Sequence, residues 1–325
     1  MMRALLIAGL ALAVLAYLLP RERNELVLTD GDRGIVDENV VVRLKAFSIP
    51  TYPSGRPRQF VSALRWSADG GESWSDTDVS VNHPLRVNGW WIYQASWSQD
   101  AAGRRMTQLS CVREPWFPLA VAGWILAVLG AGGLCWSTFN GRTVNGQDAR
   151  SPGGEAFWRT GVPPVQNGQD ARSPIQTVLS WVCALATVCL PLFIIGRAVL
   201  RPEPVPALQS WMMAPHVAAY AASYLLLLFA AFGIGRRFMA VGFLLMTVGL
   251  VLGAWWGKMA WGAWWQNDPK ELWSLATWAV YACHFFVYRR PRAETVLRIL
   301  GAVFIILTLT WVNFSRLFAG LHSYA

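Results

Sequence analysis

Residues 117–137 and 238–256 run without a single charged side chain. A helix rises about 1.5 Å per residue, so runs near 20 residues match the roughly 30 Å hydrocarbon core of a bilayer. Five further apolar stretches follow the same length rule, at about 4–19, 176–198, 216–235, 271–288 and 296–315. With 54% hydrophobic and 14% charged residues, the chain is too apolar for an ordinary soluble domain. Lipid offers no partner to an open backbone amide, which leaves helices as the form these stretches take. The expected fold class is a mainly α integral membrane protein of about seven transmembrane helices. In a soluble chain the net charge of +9 would point to nucleic acid. Here many arginines sit in short loops, where they set topology, and the partner they imply is the lipid bilayer.

Residues 20–115 break the pattern. Val40 to Phe47, Phe60 to Trp66 and Trp90 to Trp97 alternate in polarity and are separated by Pro, Gly, Ser and Asp clusters, the signature of a β-rich domain. Ser73 to Asp78 reads as a mostly polar turn, and Val81 to Leu85 as a strand end. Residues 1–19 read as an uncleaved anchor, since no small-x-small site precedes Arg21. After the span at 116–137, residues 138–175 form a polar, low-complexity linker in which Asn145–Pro152 recurs unchanged as Asn167–Pro174. Two copies are too few to build a stacked core. Residues 176–325 form the second membrane region. The five cysteines make no CxxC pair, which argues against a thiol redox motif or a zinc site, and Cys111 reads as a buried thiol. His83 reads as a surface histidine. Arg236-Arg237 and Arg289-Arg290-Pro291-Arg292 occupy the two tightest turns, which the positive-inside rule places in the cytoplasm. Counting spans then puts the N-terminus inside. The repeat linker is inside as well, while the β-rich domain, residues 199–215, the tryptophan stretch Trp261 to Trp273 and the C-terminus fall outside.

Seven of the nineteen tryptophans fall within residues 255–278: Trp255, Trp256, Trp261, Trp264, Trp265, Trp273 and Trp278. Asp268-Pro269-Lys270-Glu271 has the order of an N-cap, a proline at N1 and a capping-box glutamate, so a helix starts there. An interfacial aromatic belt explains one or two such tryptophans. At this density a docking platform for a large flat ligand is the favoured reading. His216 and His322 count to the same membrane face. Two imidazoles beside an aromatic shelf suit haem, for which imidazole is a standard axial ligand. His216, Tyr220 and Tyr224 share one helix face, which could line a pocket. His284 falls inside a span, where an ionisable group faces a bundle interior or a path. It is either a second haem contact or a neutral histidine packed on a neighbouring helix.

At these residues the chain resembles a known group. Trp261 to Ser274 is similar to the tryptophan-rich WWD motif of the haem-handling CcsA/ResC, CcmC and CcmF proteins. The ending Asp268-Pro269-Lys270-Glu271 with Trp273 looks most like the CcsA/ResC branch of system II cytochrome c biogenesis. Pro206 to Ser210 leading into His216, and Leu321-His322-Ser323-Tyr324, resemble that branch too. The likeness covers about residues 176–325. Over about residues 30–137, Val81-Asn82-His83-Pro84-Leu85 followed by Gly89 to Gln94 resembles the C-terminal part of ResB/CcsB. The whole looks like a CcsB–CcsA fusion without the usual N-terminal ResB spans.

The resemblance implies a role in the bacterial cytoplasmic membrane. Such proteins hold haem b on the outer face and attach its vinyl groups to the CxxCH cysteines of apocytochrome c, a cytochrome c synthase (haem lyase) activity. His216 and His322 would be the axial ligands, and Trp261, Trp264, Trp265 and Asp268 the platform, with Trp273 beside them. A ResB/CcsB-type subunit would supply the absent spans. Two positions depart from the pattern. Asn267 stands where the family has Trp. The family's intramembrane histidine aligns near Phe286, about 200° of helical rotation beyond His284. The alternative is a non-catalytic haem carrier that delivers to a separate ligase.

Overall fold

The computed structural model describes residues 1–147, 202–231, 236–287 and 290–314, with isolated helical positions at 178, 182, 185 and 189. Two helices, α1 (Met2–Leu18) and α2 (Phe117–Gln147), bracket eight strands. A 3-10 turn at Pro206–Gln209 leads into α3 (Met213–Ala231), α4 (Arg236–Trp261), α5 (Pro269–Phe286) and α6 (Pro291–Phe314). Among the described residues, three helical segments are long and apolar enough to cross a membrane: Phe117–Phe139, Met213–Ala231 and Arg237–Trp261. α1 is apolar but shorter, at 17 residues. The expected run at 176–198 lies outside the described residues apart from the isolated positions. Helix α2 continues to Gln147, beyond the expected end of its span.

Helices in lipid gain little from hiding apolar surface, so close backbone contact must hold them together. Small residues provide it between α1 and α2. A Cβ on Gly9 would lie 2.4 Å from the Ala127 nitrogen, and one on Gly123 would lie 2.6 Å from the Ala13 nitrogen. One on Gly130 would lie 2.5 Å from the Leu6 nitrogen. Helices α2 to α6 then share a buried core that includes Ala127, Leu227, Phe243, Trp278, Tyr281 and Ile305.

The strands form two antiparallel four-stranded sheets. The first has the order β1 (Glu22–Leu28), β8 (Arg105–Arg113), β7 (Trp90–Gln99), β6 (Leu85–Val87). The second runs β2 (Arg33–Ile35), β3 (Val41–Ser48), β4 (Val61–Ser67), β5 (Ser75–Ser80). Alternating side chains such as Val42, Leu44, Leu64, Ile92 and Leu109 meet in one core. Asn88 and Gly89, at φ 47° and 82°, make the two-residue turn that joins β6 to β7. The expected polar turn at Ser73 to Asp78 is instead mostly strand. Val79 drives into the core, while Asp76 faces outward to Lys45 at 2.9 Å and Arg65 at 3.5 Å. Charged outward positions suit an edge strand, and that is why the segment reads as polar. His83 is exposed, in the short β5–β6 turn.

A buried polar knot fixes β7. Ser62 Oγ donates to Gln94 Oε1 at 2.6 Å, and Gln94 Nε2 reaches Thr107 Oγ1 and the Ser96 carbonyl, both at 2.9 Å. The knot sits at the bulge between Gln94 and Ser96.

Two outcomes follow from this packing. Gly123→Leu drives a side chain into the α1 backbone and should cost about 1–3 kcal/mol in thermal unfolding of the detergent-solubilised protein. Gly132→Ala, whose new Cβ would find its nearest neighbour at 4.0 Å, should cost nothing measurable. Cys111 is fully buried, and burial pushes its thiol up to about 12. At pH 8 the thiol is therefore protonated as well as enclosed. Maleimide should label the Cys111 peptide only after denaturation, as read by mass spectrometry.

Candidate functional site

Helix α4 stops at Trp261 because Gly262 turns left-handed, at φ 78°. The loop ends at Asp268, which caps α5. Asp268 Oδ1 accepts from the Lys270 amide at 2.8 Å, and Glu271 Oε2 accepts from the amides of Asp268 at 3.3 Å and Gln266 at 2.8 Å. The capping box expected from Asp268-Pro269-Lys270-Glu271 is formed.

The tryptophans around this loop do not share one plane. Trp264 is buried, 5.5 Å from Phe117 and 5.9 Å from Trp255 at an interplanar angle of 82°. Trp256 is buried too and donates through Nε1 to the Ala207 carbonyl at 3.0 Å. Trp261 lies 5.1 Å from Trp256, tilted by 56°, and is only half-buried. Trp265 and Trp273 are half-buried as well, the latter edge-on to Phe304 at 5.5 Å. The expected flat shelf is thus a faceted surface around the end of α4. Trp265 Nε1 donates to Asn267 Oδ1 at 3.0 Å, and Asn267 itself sits at φ 56°. An asparagine meets both demands, since it accepts this bond and tolerates a left-handed backbone, whereas an indole carries no acceptor.

His216 lies on the first turns of α3, against α4. Its Nδ1 is 2.8 Å from the Gly249 carbonyl. A carbonyl only accepts, so Nδ1 carries the hydrogen and the neutral ring keeps its lone pair on Nε2. The ring fits because residue 253 has no side chain: a Cβ there would meet His216 Cε1 at 2.5 Å. Its centroid lies 6.0 Å from Trp256 and 5.2 Å from Tyr220. Of the face shared by His216, Tyr220 and Tyr224, which could line a pocket, His216 and Tyr220 pack on α4. Tyr220 abuts Gly249, and Tyr224 is buried. Among the described residues a cavity of about 250 Å³ lies beside Trp261, lined by Phe60, Gln94, Trp97, Pro206 and Ala207 among others.

His322 lies outside the described residues. His284 is half-buried on α5 next to Phe285. It stands sixteen residues beyond Asp268, about 24 Å along the helix, and so belongs to the opposite end of the bundle. Among the described residues no cluster of three His, Cys, Asp or Glu side chains forms a cage for an ion.

A charge cluster absent from the sequence expectations lies under the loop. Lys258 is fully buried, with Nζ 2.8 Å from Glu114 Oε2 and 3.1 Å from the Gly262 carbonyl. Arg21 Nη1 lies 3.5 Å from Glu114 Oε1. Lys258 also faces the rings of Tyr93 at 5.5 Å and Trp91 at 5.9 Å. Burial, with Glu114 nearby, pushes the Tyr93 phenol far above its ordinary range. The signal was available: Lys258 is the single charged residue between Arg237 and Asp268. The β-rich region also grips the segment before α3. Tyr52 Oη donates to the Pro204 carbonyl at 3.0 Å, Asn82 Nδ2 to that of Pro206 at 2.9 Å, and Gln209 Nε2 to that of Arg58 at 2.7 Å. All these parts meet at one end of the helices. At the other end Arg3 lies over Phe286 at 5.8 Å and Arg237 over Phe139 at 5.1 Å.

Residues 21–115 match the ResB-like family, and residues 233–320 match the family described as cytochrome C assembly protein. The cytochrome c biogenesis protein CcsA of Prochlorococcus marinus (strain NATL2A) is 42% identical over 92 residues, 27% of this chain and 29% of that protein. The protein of the same name from Synechococcus sp. (strain WH7803) is 44% identical over 92 residues, 27% of this chain and 28% of that protein. The one from Pelargonium hortorum is 37% identical over 90 residues, with the same shares of 27% and 28%. The chain thus spans under a third of the length of these relatives.

Asp268→Ala removes the α5 cap and should cost about 1 kcal/mol in thermal unfolding, with Asp268→Asn retaining most of that stability.

Proposed function

We propose that this chain, which joins a ResB-like segment to a cytochrome c assembly segment in one integral membrane protein, serves cytochrome c biogenesis by holding haem b at the end of α4 and presenting it to apocytochrome c. The observation that carries the reading is His216. Its Nδ1–H is held by the Gly249 carbonyl, and its ring rests in a cradle that a Cβ at residue 253 would fill. Fixing one imidazole nitrogen by a backbone carbonyl is how proteins orient a histidine whose other nitrogen ligates a metal. This arrangement of His216 supports haem as the group held there.

When bound, haem supplies an iron centre and two vinyl groups for thioether formation with the CxxCH cysteines. His216, through Nε2, and His322 would hold the haem iron. Trp261, Trp265 and Trp273, all half-buried, and the buried Trp264 are the proposed platform residues. Asp268 holds the loop by capping α5. The chain's contribution to attachment is positioning and exclusion of water, which can supply a large part of a barrier reduction. His284, at the far end of α5, is proposed as a separate haem contact within the membrane. The proposed topology has seven spans in the bacterial cytoplasmic membrane, with the N-terminus inside and the β-rich region outside. The placement of Arg3 and Arg237 at the end opposite the β-rich region supports this orientation. A separate ResB/CcsB-type subunit belongs to the proposal only for additional spans, since a ResB-like segment already lies in this chain.

The test is expression of the full chain with an apocytochrome c. The purified protein should show haem absorption bands, and His216→Ala should reduce bound haem and holocytochrome yield at least tenfold. Haem bands with no thioether-linked cytochrome would favour the carrier reading over the synthase. A purified wild type without haem bands would sink both.

A further inference from the structure

We infer that Lys258 is a positioning residue for the tryptophan loop, acting through a buried ion pair that locks the loop to the ResB-like region. The inference rests on the haem reading for its functional consequence and on geometry for the rest.

Three parts of the chain converge on this ammonium. Glu114, 2.8 Å away, marks the junction between β8 and α2. Arg21, which shares Glu114 at 3.5 Å, marks the junction between α1 and β1. These are the two connections through which the β-rich region is joined to α1 and α2. The third part is the Gly262 carbonyl at 3.1 Å, belonging to the first residue after α4.

Gly262 is held from both sides. Lys258 fixes its carbonyl, while the Tyr93 ring sits where a side chain would project, at 3.0 Å from a built Cβ. Trp91 stacks near Tyr93 at 6.3 Å and 15°, so both rings facing the ammonium come from the same strand of the ResB-like region. The left-handed turn at Gly262 sets the direction of everything that follows it, including Trp264 and Trp265 two and three residues on. On the helix side, Lys258 falls between Trp256, which touches His216, and Trp261, which borders the cavity. A change at Lys258 therefore reaches the proposed haem surface through the backbone. A methionine would keep the stem's length and packing but remove the Lys258 donor from Glu114 Oε2 and from the Gly262 carbonyl, leaving Glu114 with Arg21 alone. An arginine keeps charge and several donors.

The experiment uses the full chain in detergent and two readouts: amide hydrogen exchange by mass spectrometry, and haem binding followed by absorption. Lys258→Met should speed exchange of amides 261–268 at least tenfold, leave β3 and β4 amides unchanged, and weaken haem binding at least tenfold. Glu114→Gln should behave in the same way, and Lys258→Arg should stay within about twofold of wild type on both readouts. Wild-type loop exchange in Lys258→Met would overturn the inference. So would faster exchange spread equally over the β strands, since that reports a general loss of folding. Faster loop exchange with unchanged haem affinity would overturn the functional consequence. If the wild type binds no haem, the haem reading fails, and loop exchange alone decides the role of Lys258.

Discussion

A charge cannot remain buried at the end of an apolar helix without compensation, and Lys258 finds its compensation in Glu114. Desolvating each ion costs several kcal/mol, and removing one partner of such a pair leaves a penalty of about 3–5 kcal/mol. The pair is thus better understood as a specificity device than as a source of net stability. It tolerates one relative placement of the β-rich region and α4, because only there do Glu114, the Gly262 carbonyl and the faces of Trp91 and Tyr93 surround the ammonium. The hydrogen bonds from Tyr52, Asn82 and Gln209 around residues 204–209 reinforce the same placement from the other side.

Within the membrane region a different constraint operates. Apolar side chains gain little from leaving lipid for another helix, so proximity must come from shape. Glycines supply that shape in two ways, with different results. Between α1 and α2 they bring backbone onto backbone at Gly9, Gly123 and Gly130. Between α3 and α4, Gly249 and Gly253 admit aromatic and imidazole rings, so the helices meet through Tyr220 and His216. The second arrangement builds a fixed histidine into the packing. A rigid helix–helix contact is a more precise mount for a ligand than a loop, whose backbone has more freedom.

What could be read from the sequence divides by the range of the interaction that determines it. The Asp268–Glu271 cap spans four residues and was fully legible. So were β3, β4 and β7, because alternation is a local pattern. Ser75–Ser80 was not, because an exposed edge strand with one inward valine carries the composition of a turn. The tilt of Trp264 and Trp256 was also invisible. It is imposed by Phe117 and by the Ala207 carbonyl, partners more than forty residues away in the chain. Lys258 could have been flagged by its solitude in an apolar run, yet Glu114 could not have been named, since nothing local links positions 144 apart.

Asn267, where the resemblance leads one to expect Trp, has a structural role of its own. Its left-handed backbone and its bond to Trp265 Nε1 serve the geometry of the loop. A bulky indole at φ 56° would be strained and could not accept that bond. Trp265 is consequently held to the loop that carries it and packs partly against the helical core. The ring that a tryptophan would have added at position 267 is exchanged for a second point of restraint, after Lys258, on the same short loop. The loop is pinned at its start by an ammonium, near its end by an amide, and at its last residue by the capping box, so its aromatic faces are set by the chain itself. Preorganisation of that kind would lower the ordering entropy the loop itself must lose if the proposed planar group docks on it.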